Sequence, residues 1–425
     1  MALAIFIICC LLILTDRFNR TLIVLAGGTF MIWIGVIDWS SVFSKYIDWP
    51  TMVLLVSMFL MLKIVERTGV FQYIAIQLIQ TTKGRPGRLF FCFSAIVTVG
   101  SALLDQVTTV MIFVPILLSI TKLLQVSPLP FLITTVISAN IGGMATLIGS
   151  PTNVLIGQEV EELVFNDFLY HLAPLSFILF IIVVPLLYLL FHKQLMISRK
   201  KQVELVLLEG QAYLIKSPVL LHSVAVLLLT LMAFLFQPFH GVELANVAVA
   251  GALLMMLLCA GEHAPNELFR AIDWGTLLFL IGLFMLVGGL QASGWIDRMA
   301  WTFFHLTDGQ SNESMFLLLW TAGLISGFVD NVPFTAAMIP VVFETGVFGI
   351  KDMVPLWWSL AIGASLGANA TLIGSSANMI VAGLALRHHV KMSFFSFLLI
   401  GFPIVLLTLL IASGYVYVRY ASPFW

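Results

Sequence analysis

Charged residues are scarce in this sequence, and neither sign of charge prevails. Only 10% of the 425 residues are charged, whereas soluble domains carry about 25%. With 20 Lys and Arg against 21 Asp and Glu, the chain also has no basic surplus. The shortage of charge excludes a water-soluble enzyme, and the balanced signs exclude a nucleic-acid-binding protein.

Cysteine is equally scarce, and the common chemical motifs are missing. The four cysteines lie in apolar runs and form no CxxC pair, which excludes a disulfide framework and a zinc site. The sequence offers no nucleophile motif, metal cluster or cofactor motif, so we expect no enzyme, no cofactor and no bound metal. A GxxxxGK run followed by Ser or Thr does not occur. The chain therefore has no ATPase motif of its own, and any activity that needs energy would use a gradient or a cytoplasmic ATPase subunit as partner.

Hydrophobic residues, in contrast, make up 60% of the chain and form runs long enough to cross a lipid bilayer. Eight runs are candidates for full spans: about 2–15, 21–38, 50–65, 172–191, 218–237, 243–260, 274–290 and 395–418. Segments 128–168 and 355–387 are interrupted by small and polar residues, which predicts broken helices. Segments 88–121 and 314–346 are too long for one span and carry a central Asp, which predicts re-entrant hairpins. The fold class is thus an all-α polytopic membrane protein.

The distribution of Lys and Arg predicts the orientation in the membrane. Segment 193–217 is a linker rich in basic residues, and we expect it in the cytoplasm. Tracing outward from it puts 16 of the 20 basic residues, Arg20 among them, on the same side. We therefore expect a multi-pass protein of the cell inner (plasma) membrane with both termini on the non-cytoplasmic face.

The chain contains an internal repeat, and its two halves are residues 1–192 and 218–425. Equivalent residues are separated by one constant offset, which is the spacing from Asp105 to Asp330. At the same offset, Pro115 matches Pro340, Thr146–Ser150 match Thr371–Ser375, and Asn153 matches Asn378. Each half is expected to hold five spans, the broken helix being one of them, and a re-entrant hairpin. Because five is odd, the second half must be inserted upside down relative to the first. Inverted repeats with interrupted helices are typical of secondary transporters.

Polar residues concentrate at the four interruptions. Unwound backbone at membrane depth is tolerated only inside protein or around a watery cavity, and the freed helix ends favour ions or polar solutes. We expect Asn153 and Asn378 to orient the unwound loops by bonding backbone or substrate. The candidate substrate- or proton-binding residues are Asp105, Gln106, Thr108, Thr109, Asn140, Thr146, Ser150, Asn153, Asp330, Asn331, Thr335, Asn369, Thr371, Ser375 and Asn378.

Four motifs carry a family resemblance: LLDQVTTVMIFVP (103–115), SANIGGMATLIGSPTN (138–153), VDNVPFTAAMIP (329–340) and LGANATLIGSSANMIVAG (366–383). They resemble the ion-transporter superfamily of arsenite-efflux permeases, P-protein-like permeases and sodium-coupled dicarboxylate carriers, and most closely its arsenite and P-protein branch. The resemblance implies a scaffold domain that dimerises, a mobile transport domain with both hairpins, and elevator-type alternating access. Dicarboxylate carriers have Ser-Asn-Thr at the hairpin tips, where this chain has Asp105 and Asp330. The difference favours a protonatable site.

Arsenite or antimonite efflux in exchange for protons is the function that this sequence favours. Arsenous acid is neutral, and a site of Asn, Thr, Ser and backbone groups without Arg or Lys can hydrogen-bond it. Two alternatives remain open. One is sodium-coupled transport of a carboxylate such as a dicarboxylate or citrate, and the other is a Na⁺/H⁺ antiporter in which two carboxylates alternate between the ions.

Overall fold

The computed structural model describes residues 1–14, 19–70, 73, 77, 80–82, 85–124, 126–160, 162–195, 218–236, 242–259, 272 and 274–421. All regular secondary structure within these residues is helical. Most of the linker 193–217 lies outside them, so its cytoplasmic placement stays a prediction.

The helices follow the two halves of the repeat. The first half contains α1 (Ala2–Leu14), α2 (Arg20–Trp33), α3 (Trp49–Arg67), α4 (Pro86–Leu103), α5 (Gln106–Leu124), α6 (Leu129–Met144), α7 (Pro151–Glu159) and α8 (Phe165–Phe191), with a π-helical turn Val42–Tyr46 before α3. The second half contains α9 (Pro218–Leu235), α10 (Leu244–Cys259), α11 (Trp274–Ala292), α12 (Trp295–Leu306), α13 (Ser311–Val329), α14 (Asn331–Phe348), α15 (Val354–Gly367), α16 (Ser376–Arg387) and α17 (Phe394–Val416).

Six of the described helices are long and apolar enough to cross a bilayer: α3, α8, α11, α13, α14 and α17. Helices α1, α2 and α10 have 13, 14 and 16 residues, fewer than the roughly 20 of a straight span. The chain is thus a polytopic α-helical membrane protein, and the number of ten full spans stays a prediction.

Both long segments with a central Asp fold as helix pairs that break at that residue. Asp105 and Asp330 have φ angles of 126° and 78°, a backbone conformation that side-chain-bearing residues rarely adopt. Each carboxylate then accepts the N–H two residues further on, at 2.7 Å and 3.1 Å, and so caps the next helix. In the first pair the second helix folds back on the first, which brings the rings of Phe93 and Phe113 to 6.1 Å from each other.

The other two interrupted segments form helices with an unwound loop between them. Helix α6 stops at Met144 and the chain becomes helical again at Pro151, a residue suited to the first turn. Helix α15 stops at Gly367, and α16 begins at Ser376. Because α7 ends at Glu159 and α8 begins before residue 168, the expected segment 128–168 includes the start of the following helix.

Glycine allows each hairpin to pack closely on its own broken helix. A Cβ on Gly142 would lie 2.0 Å from the carbonyl oxygen of Thr98 in α4. A Cβ on Gly367, its counterpart in the repeat, would lie 2.2 Å from Oγ of Ser326 in α13. Only a residue without a side chain fits at these two crossings.

The helices pack mainly within two groups. In the first, which we call the scaffold group (α1–α3 and α9–α11), α2 packs on α11 and α3 on α10. In the second, which we call the hairpin group (α4–α8 and α13–α17), each hairpin packs on its own broken helix and also on the other half, α5 on α16 and α14 on α7. Helix α12 contacts both α11 and α14.

Three cavities lie along the boundary between the two groups. One of 330 Å³ separates α11 and the π-helical turn from α7 and α14, one of 70 Å³ lies between α3 and α5, and one of 390 Å³ lies between α9 and the first hairpin. Protein interiors contain few voids larger than a water molecule. At these three places the two groups are therefore not in contact with each other.

Candidate functional site

The hairpin tips are bonded to the unwound loops in the same way in both halves. The N–H of Gln106 donates to the carbonyl of Gly149 at 3.1 Å. The N–H of Asn331 donates to the carbonyl of Gly374, also at 3.1 Å. These four residues are equivalent in pairs by the offset of the repeat, so the sequence repeat is also a repeat of hydrogen bonds.

Two threonines make the second pair of equivalent contacts. Thr146 Oγ1 donates to the carbonyl of Ala102 at 2.5 Å, and Thr371 Oγ1 donates to the carbonyl of Gly327 at 2.6 Å. Each hydroxyl also accepts an N–H from its own loop, at 3.0 Å and 3.1 Å. Both threonines thus hold an unwound loop against the end of a hairpin helix.

Two asparagines close the loops by bonding backbone. Asn153 Nδ2 donates to the carbonyls of Met144 and Thr146, at 3.0 Å and 2.8 Å. Asn378 Nδ2 donates in the same manner to two carbonyls of its own break, at 2.7 Å and 2.9 Å. Because these donors satisfy carbonyls that unwinding has freed, both residues orient their loops.

The two halves meet at a third asparagine. Asn140 Nδ2, in α6, donates to Oδ1 of Asn369 at 2.9 Å and to Oδ1 of Asn378 at 3.1 Å. All three residues are buried. This bridge brings the interruptions of both broken helices together in one polar site.

Several polar atoms of this site are buried without a protein partner. In the described part of the chain they include Thr109 Oγ1, Asn140 Oδ1, Asn153 Oδ1, Asn331 Nδ2 and Oδ1, Thr335 Oγ1 and Asn369 Nδ2. A buried polar group without a partner costs about 1–3 kcal/mol. That these six residues bind a polar solute stays a prediction.

Other predicted residues bond locally. Thr108 Oγ1 donates to the carboxylate of Asp105 at 2.6 Å. Ser150 Oγ lies 2.7 Å from Thr152 Oγ1, and Ser375 Oγ caps α16 by accepting the N–H of Ala377 at 3.2 Å. The described residues contain no cluster of three His, Cys, Asp or Glu side chains that could hold a metal ion.

An arginine reaches the site, so the expectation of a site without Arg or Lys is wrong. Arg20 Nη1 lies 3.5 Å from Oδ2 of Asp330, whose side chain is 1% exposed. The guanidinium also donates to Ser376 Oγ. No motif surrounds Arg20 in the sequence, and its position at the end of an apolar run indicated only the edge of a span. The contact arises from tertiary packing.

Comparison with known proteins agrees with a transporter. Residues 10–363 match the citrate transporter family. An uncharacterized transporter of Mycobacterium tuberculosis is 34% identical over 424 residues, which cover 99% of this chain and 98% of that protein. The P protein of Mus musculus is 28% identical over 459 residues, which cover 90% of this chain and 55% of that protein. The resemblance to P-protein-like permeases is confirmed, and the arsenite-efflux branch stays a prediction.

The fold also has a counterpart of known structure. The crystal structure of the YdaH transporter of Alcanivorax borkumensis matches with a TM-score of 0.59 and 14% identity over 99% of both chains. This likeness concerns the fold. Since the family match extends over most of the sequence and the mycobacterial relative is similar over its whole length, the chain is a membrane transporter of the citrate transporter family.

Proposed function

We propose that the chain is a secondary active transporter that moves a small carboxylate anion together with a coupling cation, either a sodium ion or a proton. The name of its family supports an anion of the citrate class. The polar groups at the second hairpin support it on chemical grounds.

The carrying observation is a set of buried hydrogen-bond donors, two near the start of α14 and one in the break between α15 and α16. Asn331 Nδ2, Thr335 Oγ1 and Asn369 Nδ2 are without partners among the described residues. Helices α14 and α16 begin at Asn331 and Ser376, and the N–H groups of a first helical turn favour negative charge. A carboxylate accepts several hydrogen bonds at once. It is therefore the class of solute that best satisfies these side-chain and backbone donors.

The packing supports elevator-type movement of the hairpin group against the scaffold group. The bridge from Asn140 to Asn369 joins both broken helices within the hairpin group. The cavities lie between the groups, where contacts must change during such a movement. Opposite insertion of the two halves, a homodimer joined through the scaffold group, and location in the inner membrane complete the proposal.

Arsenite efflux becomes less favoured for a chemical reason. The sequence argument for it assumed a site with no fixed positive charge, because arsenous acid is neutral. Arg20 places a guanidinium beside Asp330, and guanidinium groups pair well with carboxylates. The Na⁺/H⁺ antiporter is the remaining alternative, in which cations exchange and no anion moves.

Flux into reconstituted vesicles separates these functions. Citrate, succinate, arsenite, antimonite and sodium are each offered with and without a proton gradient and with and without a sodium gradient. We expect uptake of a carboxylate that one of the two gradients accelerates. Proton-driven flux of arsenite, or sodium–proton exchange, without carboxylate flux would contradict the proposal.

Site variants connect any flux to the proposed donors. Asn331→Ala and Asn369→Ala should each lower carboxylate uptake about tenfold or more, because each removes a donor that costs roughly 1–3 kcal/mol when unmatched. Ser359→Ala is the matched control. Its Oγ is also buried without a partner in the described structure, but it lies within α15, away from the breaks.

A further inference from the structure

Arg20 connects the two helix groups through charge. It is the first residue of α2, in the scaffold group, and its guanidinium carbon lies 5.2 Å from the centre of the Phe279 ring in α11 of the same group. Its partners Asp330 and Ser376 belong to the hairpin group. The guanidinium therefore extends from one group to the carboxylate of the other.

The carboxylate depends on a positive partner. The Asp330 side chain is 1% exposed, whereas that of Arg20 is 23% exposed. A desolvated charge is unfavourable without a counter-charge, and removal of one member of a buried pair is strongly destabilising. Any movement that separates the groups has to supply another cation to Asp330.

The sequence repeat does not extend to Arg20. Asp105 accepts hydrogen bonds from the N–H groups of Val107 and Thr108 and from the Thr108 hydroxyl. The position equivalent to Arg20 in the repeat is Ala245, so the sequence does not repeat the guanidinium in the second half. The contact between Arg20 and Asp330 is therefore not one that the sequence repeat doubles.

We propose that Arg20 competes with the coupling cation for Asp330 and holds the hairpin group against the scaffold group until that cation replaces it. A sodium ion or a proton on Asp330 releases the guanidinium, and the two groups can then separate. Ser376 Oγ lies 3.5 Å from Asp330 Oδ2 and contacts Arg20. It stays beside Asp330 both when the guanidinium is bound there and when the cation has replaced it. This inference deepens the proposed function and rests on its cation coupling.

Thermal unfolding of the purified full-length protein tests the competition without any substrate. The melting temperature is followed against NaCl at constant ionic strength with choline chloride, and against pH at constant salt. Among the described residues, the side chains facing Asp330 from other helices are Arg20 and Ser376. We expect Arg20→Gln to need about tenfold less of the stabilising cation than wild type, which for protons moves the midpoint up by about one pH unit.

Three further variants serve as controls for the cation response. Asp330→Asn should abolish the cation response, with or without Arg20→Gln. Arg298→Gln also removes an arginine beside an aromatic ring, but at an exposed position of α12, and it should respond as wild type does. Phe279→Leu leaves the charges in place and removes the ring beneath the guanidinium, so it should shift the midpoint in the same direction by a smaller factor. It also replaces Arg20→Gln if that variant does not fold.

A distance measurement tests whether the hairpin group is released from the scaffold group. Spin labels at Leu22→Cys in α2 and Leu386→Cys in α16, positions 66% and 64% exposed, report on the two groups after the native cysteines are changed to Ser. Cation-free Arg20→Gln should show the distance distribution of cation-loaded wild type. An unchanged midpoint and an unchanged distribution in Arg20→Gln would overturn the inference, as would a wild type that responds to neither cation. A shifted midpoint without carboxylate flux would instead reject the proposed substrate and leave the competition intact.

Discussion

Asn378 Oδ1 lies 3.1 Å from Asn140 Nδ2, while Asn378 Nδ2 closes the loop of its own broken helix. One side chain thus shapes the second half-site and ties it to the first. Asn153, its counterpart in the repeat, closes its loop by two bonds. Its Oδ1 is buried without a partner in the described structure. The two asparagines therefore close their loops in the same way, but Asn378 also bonds to the other half of the chain through its Oδ1 atom.

This difference predicts unequal effects of one substitution at two equivalent positions. Asn378→Leu removes three hydrogen bonds and Asn153→Leu removes two, so Asn378→Leu should destabilise the protein by about 1 kcal/mol more. Thermal unfolding in detergent measures the difference. Carboxylate uptake should fall in both variants by more than folded yield does. Equal losses of uptake and yield would leave both residues with a purely structural role.

The bridge itself is tested by Asn140→Ala. The substitution leaves the Oδ1 atoms of Asn369 and Asn378 without this donor, at an expected cost of about 1–3 kcal/mol. Ser138→Ala is the control in the same helix, because its buried Oγ has no partner in the part of the chain that the structure describes. We expect a lower melting temperature in the first variant and little change in the second. An Asn140→Ala variant as stable as wild type would show that the bridge contributes nothing to stability.

Close packing between hairpin and broken helix predicts the effect of single methyl groups. Gly142→Ala and Gly367→Ala place Cβ atoms 2.0 Å and 2.2 Å from neighbouring atoms, and overpacking typically costs about 1–3 kcal/mol. Gly414→Ala, in α17, meets no atom within 4 Å. This control should gain up to about 1 kcal/mol, because Ala favours a helix over Gly. Melting temperatures measure all three, and tolerance of Ala at both crossings would refute the packing argument.

Loss of charge at the first hairpin should separate coupling from folding. Asp105→Asn keeps an oxygen that can accept the N–H groups of Val107 and Thr108, and Asn tolerates positive φ comparatively well. We expect cation-driven uptake to be lost while the melting temperature changes little. Asp308→Asn is the control, since Asp308 also has positive φ but is exposed and lies outside the breaks. Full gradient-driven uptake by Asp105→Asn would make that carboxylate structural.

The breaks could be predicted from the sequence because their causes are local. Gly, Pro and polar residues cluster at each break, where together they disfavour a continuous helix. The constant offset of the repeat makes each break visible twice. The bridge could not be predicted from the repeat. The position equivalent to Asn140 is Ser365, and the position equivalent to Asn369 is Met144, so no symmetry in the sequence pairs them.

Arg20 escaped prediction for a related reason. Arg20 was placed with most of the other basic residues at one face of the membrane. Long cationic side chains often extend from such positions towards water. Which way this side chain points is decided by the packing of α2 against α11, which brings Phe279 beneath it. Contacts of this kind, between residues far apart in the sequence, become visible only in the folded chain.

The 390 Å³ cavity between α9 and the first hairpin is lined entirely by apolar side chains, Ala95 and Leu231 among them. Larger side chains there would gain contacts on both walls and raise resistance to unfolding. They would also fasten together two bodies whose relative motion the proposed activity requires. Thermostability and turnover are therefore opposed along this boundary, and variants selected for durability should accumulate substitutions there at the expense of speed.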